Sequence, residues 1–268
     1  AMGKTKRPTE FDALGAIDSH AHLEGSDYAH EVGGVLDRAW SHGVSAIVAV
    51  AAGKKPELYP ETTALAESDP RIRMVAGIHP HYASSAEELW APCTAALKSK
   101  KIVAVGEIGL DFHYTYSPRS VQFDVMRRQI DLALELNLPV VFHIREAQEE
   151  ALGVIDEYGG AVSGVVHCFS GDASAAAEYL SRGFYLSIPG IATFPKALAL
   201  REAIAGIPRT RLLVETDCPY LAPAPFRGKT NEPAYLAFTV AAVAEALEME
   251  PAALAALTAE NTRRVFNM

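Results

Sequence analysis

Cysteine is scarce in this sequence of 268 residues. Cys93, Cys168 and Cys218 stand far apart and form no Cys-x-x-Cys pair, which argues against a disulfide framework or a thiolate zinc site. Basic charge is also short. With 24 Lys and Arg against 33 Asp and Glu the formal charge is −9, so no global positive field draws nucleic acid in, and tight sequence-specific duplex binding is not expected. A nucleic-acid substrate stays open, because bound cations and a few basic side chains supply positive charge locally. No apolar run reaches the length of a membrane span, and residues 1–9 are polar and basic without an apolar core. A reducing, cytoplasmic setting without membrane contact is therefore expected. Repeats, low-complexity tracts and domain-splitting linkers are missing too. Residues 1–10 read as a disordered or tag-derived segment and 11–268 as a single domain.

What the chain has is apolar residues, 49% of the total, in short runs that alternate with segments of helical period. Strands are expected at 16–23, 44–52, 72–79, 102–108, 138–144, 164–169, 184–188 and 212–215. Helices are expected at 30–41, 56–67, 85–98, 118–136, 146–158, 173–181, 195–205 and 232–247, with one or two more over 251–266 and a second start at Glu260-Asn261-Thr262. Ser117-Pro118 offers an N-cap followed by proline at the first helical position. Ser84 and Glu87 have the spacing of a capping box. Leu138-Pro139 ends the long fourth helix, since proline steers the residue before it away from the helical region. The strands are apolar on both faces, as in a parallel sheet covered by helices. Eight strand–helix units in a row favour a single-domain α/β fold of the (β/α)8 TIM-barrel type.

A barrel builds its active site from the C-terminal ends of its strands, and the polar residues of this sequence gather there. The first strand ends in His20 and His22, which its two-residue period puts on one side, with Cα atoms about 6 to 7 Å apart. The third ends in His79-Pro80-His81, the fourth in Glu107-Ile-Gly-Leu-Asp111, the fifth in His143-Ile-Arg145, the sixth in His167-Cys168 and the eighth in Glu215-Thr-Asp217. Seven of the nine histidines fall at or just after these ends, a clustering that points to a metal centre. Imidazole and carboxylate suit Zn, Mg, Mn, Ni, Co or Fe without choosing among them. Six candidate ligands are too many for one tetrahedral ion and fit two that share a carboxylate. Glu107, central in the strand order, is the natural bridge. Two ions so placed would hold a hydroxide and clamp both oxygens of a phosphodiester displacement.

The ordered motifs Asp18-Ser-His-Ala-His22, Gly106-Glu-Ile-Gly-Leu-Asp111, Leu138-Pro-Val-Val-Phe-His-Ile-Arg145, His167-Cys-Phe-Ser-Gly171, Glu215-Thr-Asp-Cys-Pro-Tyr-Leu221 and Arg227-Gly-Lys-Thr-Asn-Glu-Pro233 resemble the successive signatures of the TatD family. These are metal-dependent deoxyribonucleases of the amidohydrolase superfamily. The resemblance spans residues 16–266. It implies a TIM barrel, two divalent metal ions per chain and hydrolysis of nucleic-acid phosphodiesters, in DNA or RNA, with no obligate protein partner. It further implies that His20, His22 and Asp217 hold one ion and His143 and His167 the other, with Glu107 shared. Asp217 and Glu107 are then the catalytic carboxylates, Asp217 serving also as proton acceptor.

Four further residues are candidates for binding substrate: Arg145, His79, His113 and Arg227. Arg145 lies two residues beyond His143, placed for a phosphate contact or for a structural ion pair. His113 follows Phe112 where relatives often carry aromatics, and contacts substrate or only lines the rim. Arg227-Gly228-Lys229 is a basic loop able to meet phosphate, or a turn leading into the next helix. Cys168 and Cys218 neighbour the proposed ligands but, by strand alternation, should point away and pack. The function expected is a two-metal deoxyribonuclease directed at single strands or ends. The alternative is an amidohydrolase of a small amide, lactone, ester or aminoacyl ester, for which the same ions would polarise a carbonyl.

Overall fold

Short runs of Val, Ile, Leu and Ala pair side by side in the computed structural model, which describes residues 11–23, 28 and 30–268. The expectation for residues 1–10 lies outside them. The strands are β1 Ile17–Ala21, β2 Ala46–Ala51, β3 Ile72–Ala76, β4 Ile102–Asp111, β5 Val140–Arg145, β6 Gly164–Val166, β7 Tyr185–Ile188 and β8 Leu212–Val214. They form one eight-stranded sheet in sequence order, each parallel to the next. The ring closes between β8 and β1: Ala21 bridges to Cys218, Asp217 N donates to His20 O at 3.0 Å, and His22 N donates to Cys218 O at 2.8 Å. The molecule is a (β/α)8 TIM barrel.

Helices follow each strand: α1 Val32–Ser41, α2 Leu58–Ser68, α3 Ala86–Ala96, α4 Arg119–Glu135, α5 Gln148–Asp156, α6 Ala173–Ser181, α7 Leu198–Gly206 and α8 Leu236–Ala246. The last, α9 Pro251–Phe266, is continuous, without the second start expected at 260–262. Asn261 there is buried, and its Nδ2 donates to Arg209 O at 2.7 Å and Leu212 O at 2.9 Å, which fixes α9 against the entry to β8. Strand alternation divides the core in two. Ile47, Ala49 and Ala51 face the helices, whereas Val48 and Val50 join Val75, Val141, Val165 and Leu213 inside the barrel, with Phe266 of α9 packed against them.

Two helix-start expectations fail for one reason. Helix α4 begins at Arg119 with no side-chain cap, because Ser117 Oγ donates to His81 O and accepts from Ser84 N, each at 3.0 Å. The capping box at Ser84 does not form either. A 3-10 turn, Pro80–Ser85, precedes α3, and Glu87 pairs with Arg128 at 2.6 Å. Contacts between the third and fourth loops have taken the Ser117 hydroxyl and the Ser84 backbone N–H.

Candidate metal centre

Two irregularities in the sheet aim the central side chains. In β4, Gly106 pairs with Val141 and Ile108 with Phe142, leaving Glu107 as the extra residue of a bulge. In β1, the register slips between Asp18, opposite Ile47, and Ala21, opposite Ala49, around His20. The two glycines of Gly-Glu-Ile-Gly have a steric cause. A Cβ on Gly106 would lie 2.6 Å from Val141 Cβ, and one on Gly109, where φ is +141°, would overlap the His143 carbonyl oxygen. Past the strand ends, Cys168 and Asp217 take left-handed backbone with φ of +50° and +54°, conformations that non-glycine residues hold only where their surroundings determine them.

The barrel mouth brings His20, His22, Glu107, His143, His167 and Asp217 together around the Glu107 carboxylate. Glu107 Oε2 lies 3.5 Å from Nε2 of both His20 and His22, and Asp217 Oδ1 lies 3.8 and 3.6 Å from the same two nitrogens. These spacings are too long for good hydrogen bonds. They are close to the edge, about 3.4 Å, of a tetrahedron whose centre lies about 2.1 Å from each corner, as around zinc. His20 Nε2 and Glu107 Oε2 are buried without a hydrogen-bond partner, an arrangement that otherwise costs stability. The donor set and its orphaned atoms fit a divalent cation. Glu107 Oε1 serves a second group, 2.9 Å from His143 Nδ1 and 2.7 Å from His167 Nε2, with those nitrogens 3.3 Å apart. Each group has the donors to hold a cation.

Further contacts orient the rings. His143 turns its other nitrogen, Nε2, to Asp111 Oδ2 at 3.0 Å, and His81 Nε2 approaches the same oxygen at 2.7 Å. Glu215 Oε1 lies 3.4 Å from His167 Nδ1 and accepts from Cys168 N at 2.6 Å. Asp18 accepts from Thr216 Oγ1 at 2.5 Å and Thr216 N at 2.9 Å, tying the two closing strands behind the site. The roles of Asp111, Glu215 and Asp18 escaped the sequence reading although all three stand inside its motifs. Carboxylates behind metal-binding imidazoles are the expected signal.

Burial and mutual charge set the protonation. Burial pushes the Asp217 carboxyl up to about 7, against the pull of His167 and His22. Burial also raises Asp18 to about 7 and lowers His20 to about 4. At Glu107 burial is outweighed by His167, His79 and His143, which hold the carboxyl well below the usual range. At His167 burial is outweighed by Glu107 and Glu215, which hold the imidazole well above its usual value.

The four candidate substrate residues spread outward. His79 is buried beside the centre. Its Nδ1 accepts from His81 N at 3.1 Å, which puts the ring proton on Nε2, 3.3 Å from Glu107 Oε1. Burial lowers it to about 3, so it is a neutral donor. Arg145 is exposed at the rim, its guanidinium 5.0 Å from the centre of the Tyr114 ring. His113 pairs at the rim with Glu146 at 2.7 Å, and Arg227 lies over Phe194 at 4.4 Å, so neither touches the histidine cluster. Phe112 is buried, covered by Arg119 and edge-on to Phe123. One expectation is corrected: Cys218 packs in the core, but Cys168 lies beyond the end of β6, where alternation no longer applies. It lines a cleft of about 590 Å³ with Arg145, Glu146, Glu149, His167 and Ser170.

Known proteins resemble this chain along nearly its whole length. A family profile described as TatD related DNase matches residues 17–267. A Bacillus subtilis relative named uncharacterized metal-dependent hydrolase YabD is 40% identical over 94% of this chain and 99% of its own. A Salmonella typhimurium relative named 3'-5' ssDNA/RNA exonuclease TatD is 32% identical over 94% of this chain and 99% of its own. The crystal structure of YJJV, a TatD homologue from Escherichia coli, superposes with a TM-score of 0.88 at 29% identity, covering 96% of this chain and 99% of that one. A barrel with histidines and carboxylates clustered at its mouth, matched to this family along nearly its whole length, belongs to the TatD-related DNase family of metal-dependent hydrolases.

Proposed function

We propose that the chain is a two-metal nuclease that hydrolyses phosphodiester bonds in single-stranded nucleic acid, DNA or RNA, from an end. The observation that carries this reading is the division of Glu107, one carboxylate oxygen facing His20 and His22 and the other facing His143 and His167. On this reading His20, His22 and Asp217 would hold one divalent cation and His143 and His167 the second, with Glu107 shared between them. Bound there, the cations supply Lewis acidity, which acidifies water at neutral pH and offsets the charge that gathers on a phosphate under attack.

The chain's own groups do the rest. The Asp217 carboxylate takes up the proton of the attacking water. His79 donates from Nε2 to Glu107 Oε1 and steadies the bridge. Arg145 offers its guanidinium fork to phosphate oxygens at the rim. Arg227 and Lys229, in the loop where Gly228 has φ of +78°, would guide the strand farther out. His113, paired with Glu146, lines the rim. The name of the Salmonella relative supports single-strand substrates and end-directed cleavage. The three free cysteines suit a reducing, cytoplasmic setting. Among the described residues no helix is long and apolar enough to cross a membrane.

The test is hydrolysis of a labelled single-stranded oligonucleotide beside a chromogenic carboxyl ester, with wild type and Glu107→Ala, with and without added divalent metal. Oligonucleotide cleavage that requires metal and disappears in the variant is the expected result. Ester turnover with the oligonucleotide intact would assign the barrel to a small ester or amide instead.

A further inference from the structure

The loop after β4 puts two tyrosines on the rim of the mouth. Tyr114 is 39% exposed and Tyr116 66%. Their rings stack on each other, with centroids 5.3 Å apart and planes 14° from parallel. His81 meets both edge-on, at 5.5 and 5.0 Å, and His113 meets Tyr114 edge-on at 4.6 Å. A single exposed aromatic is ordinary surface. Two stacked rings held out together into water, beside a cluster of histidines, require another explanation.

The loop is pinned from below. Asp111 Oδ1 accepts from His113 N and Tyr114 N, each at 3.0 Å, while Phe112 N donates to Arg145 O at 2.9 Å. The rings are thus presented in a fixed position, and a partner that stacks on them loses little to ordering the protein. The same Asp111 holds His143 through its other oxygen. From the His143 ring to the tyrosines is two ring-to-ring steps, 6.0 Å to His81 and 5.5 Å on to Tyr114. Arg145, over Tyr114 at 5.0 Å, adds a cation between the tyrosines and the cleft beside His167.

From this juxtaposition we infer that Tyr114 and Tyr116 form a stacking platform for the nucleobase next to the scissile phosphate, with Arg145 on the phosphate that joins them. The inference rests on the nuclease reading and adds to it how the strand is gripped. A base in a duplex is stacked on its neighbours and cannot present a face to the platform, whereas an unpaired base can. Any base has such a face, so the grip tolerates sequence. It also supplies affinity without a basic groove, as a chain of charge −9 requires.

The experiment compares two fluorescently labelled single strands of equal length, one carrying bases and one fully abasic. Binding is read by anisotropy in EDTA, so that nothing is cut, and cleavage is read separately with added metal. Wild type should bind the base-bearing strand about ten-fold more tightly than the abasic one. Tyr116→Ala should erase most of that difference while leaving abasic binding unchanged, and Tyr116→Phe should keep it. Equal binding of the two strands by wild type, or a loss in Tyr116→Ala that is the same for both, overturns the platform. If wild type discriminates in neither assay yet cleaves both strands, the platform falls and the nuclease reading stands. If it cleaves neither strand, the nuclease reading falls, and the platform with it.

Discussion

Asp111 Oδ2 lies 3.0 Å from His143 Nε2, and the opposite nitrogen of that ring, Nδ1, lies 2.9 Å from Glu107 Oε1. The carboxylate thus selects which nitrogen His143 turns toward Glu107. Its own pKa is held far below the usual range because burial is outweighed by His143 and His81, so it remains an acceptor at any working pH. Asp111→Asn keeps the shape and removes the charge. The expected outcome is a loss of metal affinity of about 10- to 100-fold, measured by competition with a chromophoric chelator. An unchanged affinity would mean that His143 needs no orientation from behind.

Metal binding should release protons. Without metal, Asp217 titrates near 7 and His167 above its ordinary value, so at pH 6 both hold protons that a cation must displace. Affinity therefore rises with pH through about 7. In the metal-free protein the sign for stability is set group by group. The raised His167 contributes stability that is full below its unfolded pKa of about 6.5 and is lost as pH rises through its folded value. Raised Asp217 likewise favours the metal-free fold at low pH and disfavours it as pH climbs from about 4 to 7. Titration calorimetry at pH 6 in buffers of differing ionisation enthalpy should show net proton release, shrinking toward pH 8. Buffer-independent heats at pH 6 would refute it.

Arg145→Ala should raise KM for an oligonucleotide about ten-fold or more, with a smaller change in kcat, as loss of a charge-assisted contact to phosphate would. Arg145→Lys should recover only part, since a point charge cannot make the two parallel bonds of the fork. A variant with wild-type KM would place Arg145 outside the substrate path.

Asn261 separates scaffold from site. Its amide satisfies the Arg209 and Leu212 carbonyls at the base of the barrel, at the opposite end of β8 from Asp217. Asn261→Leu should destabilise the fold by about 1–3 kcal/mol in chemical denaturation, through unsatisfied buried acceptors. Metal affinity and oligonucleotide turnover at 25 °C should be unaltered.

Eight strands were legible in the sequence because parallel strands covered on both faces read as unbroken apolar runs, and helix α6 matches its expected span of 173–181. The gathering of the six proposed ligands was legible because strand ends are where chain order and space agree in a barrel. The cap signals misled because Ser84 and Ser117 hydrogen-bond across loops that are 33 residues apart in the chain, a choice local spacing cannot register. Cys168 misled for a related reason. Its face was assigned by strand alternation, but β6 ends two residues earlier. The service of Asp111 to His143 depends on the β4–β5 register, which runs Gly109 to His143 and Asp111 to Arg145 once the bulge at Glu107 is passed. The motif supplied that residue, and only the pairing supplied its partner.

The seam that closes the barrel also sets a timetable. Asp18 and Thr216 are 198 residues apart, and Asp217 meets His20 and His22 only when β8 docks on β1. A chain emerging from the ribosome carries Glu107, His143 and His167 well before it carries Asp217, so part of the ligand set is made early and the whole is not. A contact of such long span carries a loop-closure cost that falls once the intervening strands are in place. The seam thus acts as a safety catch. On the proposed reading, hydrolytic competence arrives with the docking of β8 on β1, and a half-made or opened copy lacks the carboxylate proposed to take a proton from water.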